Sequence, residues 1–513
     1  MNSRSGASQG SKTSLTSLPP EILQVIFSNF CEHCASTKWL DDPTKRPHSG
    51  GQAILRRLCN VSKLVCSIAQ PILFHVFAFD VLRRDDHVRS FHRTAYFFLR
   101  SISMSPHLGG NVKALDINVA IKYSLCRCCV GSMSEAMSRN LEVILNSQQS
   151  QNGLAFSADQ LLPKNIHETI IQFMLVLFPR LKSLTLSIPR DWRFDVLSTW
   201  YGNQGGPAPR RLLESLRSAK FTLDRQEGDT CTPEHRKCNH PTRESPVEML
   251  LITAASSTLE TLHCTAGALD FLPDLPRLQE LCLEMRGSWS KLSPLLANIP
   301  TLLRFAYLST NQHGPLAREV EIALEPHKAT LEVLQIDFCW TITTSPFDEF
   351  LDWKPPADSR YQITSLRGFS NLRYAALEAN HIWNFAPVEI ETETETETET
   401  EPPSYKSLSD FLPESLELLF LDFEKTPGKE LLLPLARAVS EGEHTNLRTV
   451  LWLGTQEWEC MSMERKADEN WLEEDFWKEP LPTELYNVRG DRFPDWLEMM
   501  DRPNTQPPFG TTI

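Results

Sequence analysis

The sequence predicts an α/β fold class in which a small, all-helical N-terminal module precedes an irregular array of strands and helices. Two observations support this prediction. Apolar residues recur at helical spacing between residues 17 and 76, and a short apolar pattern typical of buried strands then occurs ten times. The chain has 513 residues, of which 41% are hydrophobic, so both parts have enough apolar material to form a core.

Composition limits the cellular compartments and the classes of partner that we expect for this chain. Residues 1–16 are predicted to be disordered and contain no apolar segment of the kind that a secretory signal requires. The longest apolar stretches, residues 64–79 and 170–178, are broken by polar residues or too short to cross a bilayer. The formal net charge of −14 argues against binding to nucleic acid. We therefore expect a cytoplasmic or nuclear protein with no membrane contact and with reduced cysteines.

The module, residues 17–76, begins with a predicted amphipathic helix. Pro19 and Pro20 preset the backbone for a helix start, and Ser17 is a candidate cap. The apolar side chains that follow recur at helical spacing: Ile22, Leu23, Ile26, Phe27 and Phe30. This pattern predicts one short helix with an apolar face.

A second helix is predicted over Ala53–Ala69, with a break near Asn60, and it should stop before Pro71. The inserted loop between the two helices, residues 31–52, is long, which a surface position tolerates at small entropic cost. Helices this short bury too little surface to be stable alone. They should therefore pack on each other and leave apolar surface for a partner.

The order of these residues resembles the F-box. The resemblance is carried by Leu-Pro-Pro-Glu-Ile-Leu-Gln-Val-Ile-Phe at 18–27, Val-Ser-Lys at 61–63 and Pro-Ile-Leu at 71–73. The chain departs from the family at Val65, where an aromatic residue is usual, and in the length of the inserted loop. The alternative is that residues 18–27 form an ordinary surface helix of a larger core.

This resemblance implies a partner. F-box proteins bind the Skp1 adaptor of a cullin-based ubiquitin ligase. By the same resemblance, one set of residues should divide between the module's own core and the surface that faces the adaptor. That set is Leu18, Pro19, Ile22, Leu23, Ile26, Phe27, Val61, Ile72 and Leu73.

Residues 77–455 repeat one pattern, in which apolar residues stand at the first, fourth and sixth positions. The ten copies are Val112/Leu115/Ile117, Leu181/Leu184/Leu186, Leu216/Ala219/Phe221, Leu259/Leu262/Cys264, Leu278/Leu281/Leu283, Leu302/Phe305/Tyr307, Leu331/Leu334/Ile336, Leu372/Ala375/Leu377, Leu416/Leu419/Leu421 and Leu447/Val450/Trp452. Their starts lie 19 to 69 residues apart, and the widest gap has room for a further copy. Each copy predicts a short strand of a parallel sheet, with helices between copies. Candidate helices are Val88–Ser103, Ser132–Leu145, Asn165–Phe178 and Val247–Ser256.

The copies resemble degenerate leucine-rich repeats that lack the regular asparagine of that family. The resemblance implies an irregular leucine-rich-repeat-like solenoid, whose concave side carries the residues between the apolar anchors. The acidic residues at such positions are candidate substrate-binding residues: Glu280, Glu284, Asp337, Glu378 and Asp422. They suit a basic or hydrogen-bonding protein segment, and a solvated acidic surface is the alternative. A mixed α/β fold with the same residues in buried strands is the alternative to a solenoid.

Two segments stand apart from the repeats. Residues 389–403 alternate Glu and Thr before two prolines, which predicts a disordered insertion, because repelling charges offer nothing to bury. Residues 456–513 form an acidic tail that contains Trp458, Trp471, Trp477 and Trp496. We expect this tail to cap the last repeat, with an aromatic peptide-binding surface as the alternative.

Cysteine spacing gives a weak metal signal. Cys31 and Cys34 have the C-x-x-C spacing of many zinc sites. The other candidate ligands are irregularly spaced and far away: Cys126, Cys128, Cys129, Cys231, His235, Cys238 and His240. The sequence therefore favours unliganded cysteines and no metal, with zinc in the long loop left open.

No Gly-rich phosphate loop, nucleophile elbow, zinc-protease motif or dinucleotide fingerprint occurs, so no catalytic residue and no cofactor are expected. Together the resemblances imply a non-catalytic subunit of a Skp1–cullin–F-box ubiquitin ligase. It would dock Skp1 through the F-box and bind an unknown protein substrate through the repeats. A leucine-rich-repeat scaffold outside any ligase is the alternative, and an enzyme without a recognisable motif is a third class.

Overall fold

The structure is a computed structural model, and it describes the following residues: 15–35, 49–80, 87–118, 166–188, 194, 197, 213–223, 246–266, 272–285, 292–309, 317–337, 363–378, 408–422, 433–453 and 460–464. Three predicted features lie largely or wholly outside these residues. They are the N-terminal segment 1–16, the Glu/Thr insertion 389–403 and most of the tail 456–513.

Four short helices form the N-terminal module: α1 (Pro20–Ser28), α2 (Glu32–Ala35), α3 (Ser49–Leu58) and α4 (Lys63–Leu73). The predicted helix over Ala53–Ala69 is thus two helices, with the break near Asn60 that the sequence indicates. The second of them starts where it does because Ser62 caps it. The Ser62 hydroxyl oxygen accepts a hydrogen bond from the backbone N–H of Val65 at 3.2 Å.

The expected stop before Pro71 is wrong. Helix α4 includes Pro71 and ends at Leu73. A proline removes one backbone donor, but the N–H of Phe74 still donates to the carbonyl oxygen of Gln70 at 3.2 Å. The last turn therefore survives the missing hydrogen bond.

Side chains from three of the module's helices, and Cys31 after α1, form one core with two strand residues. The buried members are Leu23, Phe27, Cys31, Leu55, Val65, Ala69, Ile72, Val76 and Ala114. Val65 is fully buried, so the smaller side chain at this departure from the F-box pattern fills a core position. Val76 and Ala114 belong to the first two strands of the sheet, which means that the module's core continues into the sheet.

Twelve described strands follow one another across a single open sheet in chain order. They are β1 (Val76–Asp80), β2 (Ala114–Asn118), β3 (Ser183–Ile188), β4 (Ser218–Leu223), β5 (Thr261–Ala266), β6 (Glu280–Met285), β7 (Arg304–Ser309), β8 (Val333–Asp337), β9 (Tyr374–Glu378), β10 (Leu418–Asp422), β11 (Thr449–Leu453) and β12 (Cys460–Glu464). The first eleven are parallel, and β12 pairs antiparallel with β11. The α/β prediction is confirmed at this level.

All ten copies of the apolar pattern supply strands, β2 to β11. In every copy the described anchor side chains are at most 2% exposed. The sequence did not predict β1 or β12. Strand β1 follows the same spacing at Phe74, Phe77 and Phe79. The predicted boundary between the module and the repeats, between residues 76 and 77, falls inside this strand. The second lies in the tail and is the only antiparallel strand among the described residues.

A two-pronged hydrogen bond sets the register of the parallel strands. The carbonyl oxygen of the residue just before one strand accepts two N–H groups from the start of the next repeat. The Arg217 carbonyl, for example, accepts the N–H groups of Glu260 and Thr261 at 2.7 and 2.9 Å. The same arrangement recurs at His75, Lys113, Glu260, Gln279, Leu303, Glu332, Arg373 and Glu417.

Hydroxyl groups link several neighbouring repeats. Each hydroxyl precedes an anchor leucine and donates to the carbonyl oxygen of the first anchor in the preceding copy. The pairs are Thr258 to Leu216 at 2.8 Å, Thr330 to Leu302 at 2.9 Å and Ser415 to Leu372 at 2.8 Å. Short hydroxyl side chains thus satisfy carbonyl groups in the turns before the strands.

Seven further helices lie between strands: α5 (His87–Met104), α6 (Ile166–Leu177), α7 (Pro246–Ala255), α8 (Leu292–Ala297), α9 (Ala317–Leu324), α10 (Leu408–Phe411) and α11 (Leu433–Ser440). Three candidate helices are confirmed to within one residue at each end, and Ser132–Leu145 lies outside the described residues. In the widest gap between copies no strand of this sheet intervenes, because β2 and β3 are hydrogen-bonded neighbours. Among the described helices, none combines the length and apolar character needed to span a membrane.

The described residues fall into two compact units, one up to Leu184 and the other from Thr185 onward. In the first unit, strand β1 is packed on both faces. Val76 belongs to the module's core. On the other face, the ring centroids of Phe77 and Phe98 in α5 lie 4.6 Å apart, and those of Phe79 and Phe91 lie 4.9 Å apart. The helical module and the first repeat therefore share a strand.

In the second unit, Glu248 near the start of α7 is a buried carboxyl group. Its side chain is 4% exposed and its Oε1 atom has no hydrogen-bond partner. Burial without a partner raises the pKa of Glu248 from 4.5 to about 8. The folded chain therefore holds a proton here at neutral pH that the unfolded chain releases.

Because the folded chain holds this proton, we expect the free energy of unfolding to fall as pH rises from about 4.5 to about 8. Glu248→Gln should remove that part of the pH dependence and stabilise the protein at pH 7 by about 3 kcal/mol. Urea unfolding at several pH values measures both effects. The exposed Glu414→Gln is the matched control, and an equal response of both variants would contradict the prediction.

The hydroxyl links predict a second effect on stability. Thr330→Val keeps the side-chain shape but leaves the Leu302 carbonyl without this donor, so the free energy of unfolding should fall by about 1 kcal/mol. Thr301 occupies the equivalent position before Leu302 and is exposed. Thr301→Val should therefore change stability by less than about 0.5 kcal/mol. Equal losses in the two variants would argue against the hydroxyl links.

Candidate partner-binding site

The structure divides the residues that the F-box resemblance selects into three groups by burial. Leu23, Phe27 and Ile72 lie in the module's core, at 0%, 1% and 3% exposure. Leu18, Ile26 and Leu73 are partly buried against that core. Pro19, Ile22 and Val61 are exposed. The last group offers the most exposed side-chain surface to a partner.

The exposed group is larger than the sequence indicates. Ile22 and Val61 are 48% and 59% exposed, and each has an apolar neighbour three residues later: Val25 is 65% exposed and Leu64 is 42% exposed. Ile22 and Val25 both belong to α1, where residues three apart lie on the same side, whereas Val61 lies in the turn before α4. Ile54 in α3 is also exposed, at 37%. Sequence reasoning missed Val25 as a surface residue, although its spacing from Ile22 was visible.

Exposed large apolar side chains are concentrated in this module. Nine such side chains occur in the described residues, and six of them lie between residues 15 and 64: Leu15, Ile22, Val25, Ile54, Val61 and Leu64. The other three are spread over helices α5 and α9: Phe97, Met104 and Ile322. Exposed apolar side chains that form one contiguous patch are typical of protein-interaction surfaces.

The register of the sheet places the five predicted acidic residues on one face. Side chains alternate along a strand, and all five stand at the first, third or fifth positions rather than at anchor positions. Glu284, Asp337, Glu378 and Asp422 each occupy the fifth position of their strands, and the register pairs Glu284 with Leu308, Leu308 with Asp337, and Glu378 with Asp422. Four of the five thus form a row across β6 and β8 to β10.

One of the five acidic residues lies close to an arginine, and another is buried. Glu280 is half-buried and lies 3.9 Å from the guanidinium of Arg304 on the next strand. Asp337 is only 9% exposed. Asp337 is therefore a poorer contact for a partner than Glu280 and Glu284, which are both half-buried.

Neutral polar groups stand beside the acidic row, at the third position of the strands. Burial lowers the pKa of His263 to about 3 and raises the pKa of Cys282 to about 12, so imidazole and thiol are both uncharged at neutral pH. The buried Nε2 atoms of His263 and Gln335 have no hydrogen-bond partner. The sequence pattern did not single out any of these residues.

A cluster of cysteine and histidine side chains lies at the end of α1. The Sγ atom of Cys34 lies 3.2 Å from Nδ1 of His75 and 3.7 Å from Nδ1 of His33, and Sγ of Cys31 lies 3.8 Å from Nδ1 of His75. Hydrogen bonds from Cys31 and the two histidines lower the pKa of the Cys34 thiol, whereas its bond with Cys34 raises the pKa of Cys31. The more distant candidate ligands, from Cys126 to His240, lie outside the described residues.

The fold defines the class of this chain only broadly, as a mixed helix-and-strand protein with an open and mainly parallel sheet. No model of a known protein family matches the chain, and no curated protein is similar to it. Any assignment of the module to a family therefore rests on its own residues and their burial.

The division between core and surface predicts opposite effects for two neighbouring substitutions in α1. Phe27→Ala should lower the free energy of unfolding by about 3 to 5 kcal/mol, because it leaves a cavity in the module's core. Ile22→Ala should change it by less than about 0.5 kcal/mol. Urea unfolding followed by circular dichroism measures both. A large loss in Ile22→Ala would place that side chain in the core and contradict the division.

Proposed function

We propose that this chain is the non-catalytic substrate-recognition subunit of a Skp1–cullin–F-box ubiquitin ligase, acting in the cytoplasm or nucleus. The observation that carries the proposal is the surface of the N-terminal module. Three packed helices there bury Leu23, Phe27 and Ile72 and expose Ile22 and Val61, all of them residues that the F-box resemblance selects. A short helical module with exposed apolar side chains suits docking on another protein.

The repeats would then hold the substrate. Their parallel strands resemble a leucine-rich-repeat solenoid, and the row of Glu284, Asp337, Glu378 and Asp422 supports a basic or hydrogen-bonding protein segment as the substrate. Glu284 is half-buried in this row, next to the uncharged His263 and Cys282. We therefore propose a mixed contact rather than one made by ion pairs alone.

The chain would act by bringing a substrate and a ubiquitin-loaded enzyme close together. Skp1 and the cullin would connect the module to the ubiquitin-loaded enzyme, and the repeats would hold the substrate. Binding both raises the effective concentration of substrate lysines near the reactive thioester. No residue of this chain needs to take part in the chemistry.

A second function uses the repeats alone. The acidic residues that the register aligns belong to the repeats, so the chain would serve as a protein-binding scaffold outside any ligase even if the module had no partner. Binding to Skp1 distinguishes the two functions.

We expect the double substitution Ile22→Asp, Val61→Asp to abolish binding of the full chain to purified Skp1, with at least about a hundred-fold weaker affinity, because it puts charges into an apolar interface. Ile26 is unsuitable for this test, since it packs against the module's core. The matched control is Ile322→Asp, whose side chain is 49% exposed, close to the 48% of Ile22. Calorimetry measures binding, and circular dichroism checks the fold.

Two outcomes would contradict the proposal. Wild-type chain that does not bind Skp1 would favour the scaffold function. Unchanged binding by the folded double variant would mean that Skp1 does not use these side chains.

A further inference from the structure

We propose that Cys31, His33, Cys34 and His75 bind one zinc ion that fastens the first helix of the module to the start of the sheet. The four ligand atoms all lie within 4.8 Å of one another. Within the described residues this is the only group of three or more metal-binding side chains so arranged. Two thiols and two imidazoles are a common donor set for structural zinc.

The distances between the ligand atoms fit a tetrahedral site. Zinc binds sulfur at about 2.3 Å and imidazole nitrogen at about 2.0 to 2.1 Å, so neighbouring ligand atoms of a tetrahedron lie about 3.5 Å apart. The three contacts around Cys34 and His75 are 3.2, 3.7 and 3.8 Å. All other separations between the four ligand atoms are at most 4.8 Å, so side-chain rotation of about 1 Å would complete the geometry.

The local backbone holds the cysteines in place. Helix α1 ends at Ser28, and the chain continues in a turn in which the N–H of Cys31 donates to the Ser28 carbonyl at 3.0 Å. The N–H of Cys34 in turn donates to the Cys31 carbonyl at 2.9 Å. The C-x-x-C spacing thus brings both sulfurs to one side of a single turn.

The sheet holds the histidine in place. The N–H of His75 donates to the Ile72 carbonyl at 3.1 Å, and its carbonyl oxygen is the first in the series of two-pronged acceptors, bonded to Lys113 and Ala114 at 2.8 and 3.0 Å. The backbone of His75 is therefore held independently of any metal. Its imidazole reaches cysteines that precede it by 41 and 44 residues.

The burial of the four ligand side chains fits a structural metal site that an ion can enter from solvent. Cys31 is 5% exposed, His33 and His75 are half-buried and Cys34 is exposed. An ion can enter at Cys34 and be shielded on the Cys31 side.

The position of the site explains what the metal would do. It lies at the base of the inserted loop, where the chain leaves α2 and returns at α3. The return is close-packed, because a Cβ atom at Gly51 would collide with the carbonyl oxygen of Phe30. A zinc ion bound to both sides of the module would limit how far its helices separate, and this effect would not depend on Skp1.

The test uses the full chain, loaded with zinc under reducing conditions and then freed of loosely bound metal. Mass spectrometry of the metal content should show about one equivalent of zinc less in Cys34→Ser than in the wild type, because the site loses one of its four ligands. Cys66→Ser is the matched control, since Cys66 is a half-buried cysteine in α4 of the same module. It should retain the wild-type zinc content. Comparing variants removes the contribution of cysteines elsewhere in the chain.

A second measurement covers the case in which Cys34→Ser does not fold. Cobalt added to the zinc-free wild type should give the visible bands of a tetrahedral site and sulfur-to-cobalt charge transfer, both of which zinc should remove. Equal zinc content in wild type and folded Cys34→Ser would overturn the proposal. So would the absence of tetrahedral cobalt bands in reduced wild type, or a Cys31–Cys34 disulfide whose reduction does not restore zinc binding.

Discussion

The two-pronged hydrogen bond between successive repeats is the constraint on which the rest of the structure depends. At nine junctions a carbonyl that accepts two consecutive N–H groups fixes the start of the next strand, as the Arg217 carbonyl does for Thr261. The anchor side chains of all repeats then fall in line and can be buried together. A one-residue slip would turn every anchor to the other face, so register and burial support each other.

This constraint also links the fold to the two sites. Because the strands share a register, acidic residues that are far apart in sequence form one row, as Glu378 and Asp422 do. The series of carbonyl acceptors begins at His75, whose imidazole reaches Cys34. The helical module is anchored at the same corner, since Val76 completes its core. The surface proposed for Skp1 therefore stands on the first strand of the repeats.

The sequence predicted the strands well and the links between repeats poorly. Anchors such as Leu281 and Leu334 are apolar because the sheet buries them, so their spacing is visible in the sequence. Strand β1 was missed because Phe74 and Phe77 follow directly on a helical pattern. The hydroxyl of Thr330 was not predicted because a single threonine before a leucine has no distinctive spacing, and many side chains can satisfy a turn carbonyl.

For the sites, the sequence by itself determined which residues are apolar, where the helices of the module start and which positions alternate along the strands. These properties depend on neighbours within a few residues, and local periodicity records them. Tertiary structure alone decided that Phe27 is core and Ile22 is surface, that Asp337 is buried, and that His75 completes the group begun by Cys31 and Cys34. Those outcomes depend on contacts between segments about 40 residues apart in sequence, and a short sequence pattern holds no record of which distant segment packs against it.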